Sequence, residues 1–176
     1  IWKFSPDQFD SVGRMPNLQA VRAESMRIEF LSMDAAGRTG ADNPLTKQKV
    51  REAIFHAIDR PTMAKQLMQG GSRPIDAPCF PTQFGCDAAA AVRYPFDPAK
   101  AKQLLAEAGY PSGFDLSFAN TALPGTQFMV DIGTAVVDMW TKIGVRVKLT
   151  NYEWGSFAPL VLGDQARLAG NASMYR

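Results

Sequence analysis

Three helices with sharply marked ends constrain this chain more than any other feature. In residues 43–71, NPLTKQKVREAIFHAIDRPTMAKQLMQGG, Thr46 is placed to cap a helix and Leu45 and Val50 stand at the two ends of a hydrophobic staple. Val50, Ala53, Ile54, Ala57 and Ile58 then recur at helical spacing, which predicts a helix over 47–58. Asp59-Arg60-Pro61 breaks it and starts a second helix, with Met63, Ala64, Leu67 and Met68 on its apolar face and Gly70-Gly71 as its stop. In residues 94–114, YPFDPAKAKQLLAEAGYPSGF, Asp97 caps a third helix whose first residue is Pro98, where the missing N–H costs nothing. Ala101, Leu104, Leu105 and Ala108 form its core face, and Gly109 and Pro111 end it.

Stripes of this kind need a second layer to pack on, and the rest of the chain offers strands. Residues 18–23 and 27–33 are strand candidates, and residues 1–17 read as irregular because Pro6, Gly13 and Pro16 interrupt them. Phe114, Leu116 and Phe118 alternate with Asp115 and Ser117 in a strand over 114–119. A long helix over 126–143 follows, with Phe128, Ile132, Ala135, Met139 and Ile143 inward and Gly144 closing it. Val145, Val147 and Leu149 alternate with Arg146, Lys148 and Thr150 as the next strand. A short helix is expected near 156–162 with Pro159 in its first turn, and a last strand within 167–175. The order is α/β, one domain over 1–176, and its later strand–helix–strand run favours parallel pairing through right-handed crossovers. Residues 72–93 form a loop long enough to suggest function.

Composition excludes several classes. The 176 residues carry a net charge of +2, with bases and acids interleaved, so no footprint for nucleic acid is present. No apolar run approaches the ~18 residues of a membrane span. The chain opens on Ile1, which suggests a processed product.

Catalytic chemistry is sparse. His56 is the only histidine; it lies one turn from Glu52 and from Arg60, off the apolar stripe, and is expected at the surface or lightly paired. Cys79 and Cys86, in CFPTQFGC, are too few for a zinc site, since no further thiols and only one imidazole exist. They read either as a local disulfide, worth roughly 2–3 kcal/mol for so small a loop, or as two unpaired thiols. No acid/base carboxylate pair or phosphate-cradling loop is evident, and no cofactor or metal is expected. Trp140 reads as packing. In α/β sheets ligands gather at the carboxyl ends of strands, which singles out Ser32 to Asp34, Asn120 to Leu123, and the pair Trp154 and Phe157.

LTKQKVREAIFHAIDRPTMAKQLMQGG and YPFDPAKAKQLLAEAGYPSGFDL together resemble the peptide- and nickel-type family of bacterial ABC-transporter solute-binding proteins, and MWTKIGVRVKL with YEWGSF resembles a later helix–strand–helix of the same family. The resemblance implies one lobe, the second, of a two-lobed periplasmic-binding-protein-like fold with a central mixed sheet flanked by helices. The first lobe is then expected mostly upstream and a return segment downstream. It further implies a periplasmic, monomeric receptor that holds an oligopeptide or related small molecule between two lobes and delivers it to ABC permease subunits of the inner membrane. The ligand contacts it suggests are Ser32, Asp34, Asn120, Thr121, Leu123 and Trp154. Dipeptide-type members have an arginine where this chain has Leu123, which speaks against plain dipeptide specificity. The CFPTQFGC loop resembles that of oligopeptide-type binders and supports export, and with it the Cys79–Cys86 bond.

Two other readings stand beside this one. The chain could be a thiol enzyme with Cys79 or Cys86 as nucleophile, marked by a depressed thiol pKa. It could also be a regulatory ligand-binding domain that reuses the same lobe.

Overall fold

A computed structural model describes residues 6–23, 26–122, 128–161 and 172–175. A 3-10 turn, Pro6–Gln8, leads into a short helix, α1 (Phe9–Gly13), so the expected irregular start is partly helical. Residues 18–23 are not a strand. They lack a paired neighbour, and Val21 is exposed, so no sheet rewards extension there. Strand β1 keeps only Phe30–Ser32 of the predicted 27–33.

The helical layer follows the sequence closely. Helix α2 is Gln48–His56, α3 is Arg60–Gln66 and α4 is Pro98–Glu107. Two caps are as the pattern implies: Asp59 Oδ1 accepts from the Thr62 amide at 3.1 Å, and Asp97 Oδ1 from the Lys100 amide at 2.9 Å. Thr46 does not cap α2. Residues Pro44–Thr46 form a 3-10 turn capped by Asn43, whose Oδ1 accepts from the Leu45 amide, and α2 begins after Lys47 without a side-chain cap. A cap was already in use one turn upstream, and the predicted staple residues Leu45 and Val50 are both fully buried.

Strand β2 is Asp115–Ala122, helix α5 is Phe128–Thr141, strand β3 is Arg146–Glu153, helix α6 is Trp154–Val161 and strand β4 is Ala172–Tyr175. The sheet order is β1-β4-β2-β3. Both β3 and β4 run parallel to β2, while β1 is antiparallel to β4. The mixed sheet flanked by helices is therefore present. Helix α6 starts two residues earlier than predicted, which puts Pro159 in its second turn rather than its first. Proline there removes one amide donor from the helix, the one that would bind the carbonyl of Gly155, four residues back.

The core lies on one side of the sheet. Phe114, Leu116 and Phe118 of β2, Met129, Val136 and Trp140 of α5, Val50, Ala53 and Ile54 of α2 and Ala101, Leu104 and Leu105 of α4 belong to one buried cluster. Trp140 is the pivot of this layer. Its ring lies 5.1 Å from that of Phe118, and its indole N–H donates to the Ile54 carbonyl at 3.2 Å. At the amino ends of β2 and β3 the backbones of two turns touch. A Cβ on Gly113 would sit 1.7 Å from the Gly144 carbonyl oxygen, and both residues have positive φ, so glycine is required on each side of that contact.

Candidate functional site

The carboxyl ends of the parallel strands β2 and β3 lie side by side, with Asn120 opposite Asn151, Thr121 opposite Tyr152 and Ala122 opposite Glu153. Up to Phe118 the strand alternates buried and exposed residues, but Ala119, Asn120 and Thr121 are all buried. Both faces are covered there. Asn120 meets α5 on one face, and on the other Tyr152, in line with Thr121, lies 6.2 Å from the ring of the fully buried Phe157 of α6.

Asn120 is wholly buried. Its amide nitrogen donates to the Met129 carbonyl at 2.8 Å and to Asn151 Oδ1 at 2.9 Å, while its own Oδ1 is buried without a partner. An unpaired buried acceptor costs about 1–3 kcal/mol. The reverse orientation would be worse, because it sets an oxygen against the Met129 carbonyl, which can only accept. Thr121 is also buried, and its hydroxyl donates to the Tyr152 carbonyl at 3.0 Å. The Asn120 amide nitrogen and the Thr121 hydroxyl thus bind other parts of the protein. Trp154, by contrast, is 37% exposed at the first position of α6, with its ring 6.1 Å from Phe157. Of the predicted contacts described at this end, it is the exposed one. Leu123 lies outside the described residues.

Ser32 and Asp34 belong to β1 and the loop after it, two places from β2 in the sheet order. Ser32 is level with Ser173, and Ser173 is level with Ala119. Because β1 runs opposite to β4, the chain moves from Ser32 to Asp34 toward the amino end of β2 and away from Asn120. The rule that ligands gather at carboxyl strand ends holds only for strands that point the same way. The Asp34 side chain is 2% exposed and is committed to its own loop. Its Oδ2 accepts from the Thr39 amide, the Thr39 hydroxyl and the Asn43 amide nitrogen, each at 3.1 Å. Burial pushes its carboxyl up, but hydrogen bonds from the Arg38 and Thr39 amides and the Thr39 and Asn43 side chains outweigh this and hold it below the usual aspartate value.

His56 is buried, not at the surface. Its Nδ1–H donates to the Pro95 carbonyl at 2.7 Å, and its ring meets Tyr94 edge-on at 5.6 Å. The segment before α4 folds back over α2 and covers the face that the helix pattern left polar. Arg60 binds the same segment through the Ile75 and Tyr94 carbonyls and Asp76. Cys79 and Cys86 form a disulfide, with Cα atoms 5.8 Å apart, so neither sulfur is available as a nucleophile in this state. No group of three or more His, Cys, Asp or Glu residues that could hold a metal occurs among the described residues, and no described helix is long and apolar enough to cross a membrane.

Asn151 and Gly133 were not singled out from sequence. A Cβ on Gly133 would lie 2.6 Å from the Asn120 amide nitrogen. A glycine inside an otherwise apolar helix is the signal that could have found the pair, since it weakens the helix unless something packs closely against it.

Residues 1–176 match the family described as bacterial extracellular solute-binding proteins, family 5, middle region. The chain belongs to this family. Among its family 5 relatives, haem-binding protein A of Haemophilus influenzae is 29% identical over 147 residues, which is 81% of this chain and 25% of that protein. Glutathione-binding protein GsiB of Salmonella typhimurium is 30% identical over 169 residues, 96% of this chain and 31% of that protein. The periplasmic binding protein DppA of Helicobacter pylori, solved with the peptide STSA, superposes with a TM-score of 0.78 at 25% identity over 97% of this chain and 31% of its own. A dipeptide-binding protein from Pseudoalteromonas, solved with Met-Leu, shares the fold at a TM-score of 0.81. This family 5 chain therefore spans about a quarter to a third of the relatives it matches.

Proposed function

We propose that the chain is the second lobe of a periplasmic, monomeric solute receptor that binds a peptide or related small molecule and delivers it to ABC permease subunits of the inner membrane. Family membership supports this, as do relatives named for glutathione, haem and di- or tripeptides. The observation that carries it is the exposed Trp154 beside a carboxyl strand end at which the Asn120 amide nitrogen and the Thr121 hydroxyl are bound internally. Such an end is a stiff wall with one aromatic face, and it suits a ligand held against a second wall. Leu123 is proposed as a second contact on the same end. In a two-lobed receptor each wall supplies part of the contact, and the ligand stabilises the closed state through its differential affinity for it. The receptor carries out no reaction in this reading, and the Cys79–Cys86 bond opposes the thiol-enzyme alternative.

Calorimetry of the parent receptor and of the 176-residue chain, against glutathione and against a defined peptide mixture, tests this. The parent receptor is expected to bind one of them, Trp154→Ala to weaken binding at least tenfold, and the isolated chain to bind none. Micromolar binding by the isolated chain, or no effect of Trp154→Ala on a ligand the parent binds, would overturn the reading.

A further inference from the structure

We infer that Asn120 is a positioning residue, a buried latch that fixes the start of α5 and the end of β3 to the central strand so that the ligand-facing end of the sheet moves as one piece. Three observations converge on it. The amide of Asn120 has two N–H groups, and each has its own acceptor: the Met129 carbonyl in the first turn of α5 and Asn151 Oδ1 on β3. The acceptors belong to two different elements, so a single side chain joins three. Gly133, one turn further along α5, leaves room for the amide, and any side chain there would meet it. The unpartnered Asn120 Oδ1 shows which half of the amide the site is built around, because the fold leaves the oxygen unsatisfied and keeps both donors bound.

The latch also orients a neighbour. Asn151 is exposed and offers its oxygen to Asn120, so its own NH2 is the half turned away from the latch, at the carboxyl end of the edge strand. The group presented there is a donor, which suits a carbonyl or carboxylate oxygen of a ligand. This purpose rests on the receptor reading above, but the latch itself can be tested without any ligand, so the two can fail separately.

The test is a double-mutant cycle on the parent receptor, read by thermal unfolding and by amide hydrogen exchange. Gly133→Ala should lower the melting temperature while Asn120 is present and raise it in an Asn120→Ala background, because alanine is the better helix former once the amide is gone. Asn120→Asp, which sets an oxygen against both acceptors, should speed exchange at least tenfold in the first two turns of α5 and in 150–153 while α2 and α4 keep their protection. Asn151→Asp preserves the acceptor and should leave exchange near that of the unaltered receptor, whereas Asn151→Leu should raise it. If Gly133→Ala stabilises the receptor with Asn120 present, if Asn151→Asp is as damaging as Asn151→Leu, or if Asn120→Asp raises exchange evenly across the molecule, Asn120 is an ordinary core residue and the inference is wrong.

Discussion

The middle layer of the molecule and the two ends of its sheet are held together by different physics. Around α5 the contacts are apolar and shape-dependent: Trp140, Phe118, Ile54 and Leu105 are buried to within about 1% of their surface. At the carboxyl end of β2 and in the loop after β1 polar groups are buried as well, Asn120 and Thr121 in the first and Asp34 in the second. Dispersion and apolar burial tolerate small shifts at modest cost. A buried amide or carboxylate does not, because each lost partner leaves a desolvated group behind. The layer therefore supplies bulk stability, and the ends supply definite geometry.

Trp140→Ala gives the sharpest check of that contrast. It removes the largest fully buried side chain and leaves the Ile54 carbonyl without its indole donor, so urea unfolding should show a loss of about 3–5 kcal/mol. A loss no greater than that from deleting a polar end residue would dissolve the distinction between the two regions.

Asp34→Ala should have the next largest effect, about 1.5–3 kcal/mol at neutral pH, because hydrogen bonds to an ionised group are the strong ones. Its pH dependence has a definite sign. The folded carboxyl titrates below the usual aspartate value, so its contribution is complete above that value and is lost as pH falls through the lower, folded one. Urea midpoints measured from pH 5 downward should therefore converge for the native sequence and Asp34→Ala. A gap that stayed constant to pH 2 would show that the carboxylate contributes nothing as a charge.

Asp97→Ala should have the smallest effect of the three, about 1 kcal/mol, since one cap hydrogen bond to the Lys100 amide is lost at an exposed helix start. Circular dichroism melts should resolve it. A much larger loss would mean that α4 depends on its cap more than on the packing of Ala101, Leu104 and Leu105.

The same division explains what could be read from the residues. Much of the apolar layer was legible because periodicity and stop signals are local: the stripe of α2, the Asp97 cap and the alternation of Phe114, Leu116 and Phe118 appear as predicted, but the buried face of α5 is shifted by one residue, to Met129, Gly133, Val136 and Trp140 in place of Phe128, Ile132, Ala135 and Met139. Thr46 failed as a cap because Asn43, three residues earlier, was an equally good one and closed a 3-10 turn first. His56 was misplaced because its partner, Pro95, is 39 residues away and nothing in the helix announces it. The sheet ends were the least legible. Asn120 binds Asn151 across 31 residues, and the direction of β1 depends on its pairing with β4 at the other end of the chain. No local pattern encodes either fact, so nothing in the residues around Asp34 and Asn120 announces that their strands run in opposite directions.

That reversal of β1 has a practical side. The loop between Asp34 and Asn43 follows a strand that runs opposite to β4, and Ala41 on it is exposed. If Trp154 meets the ligand as proposed, a dye or affinity handle attached at Ala41 would leave that ring uncovered, whereas the same cargo on Trp154 would block it.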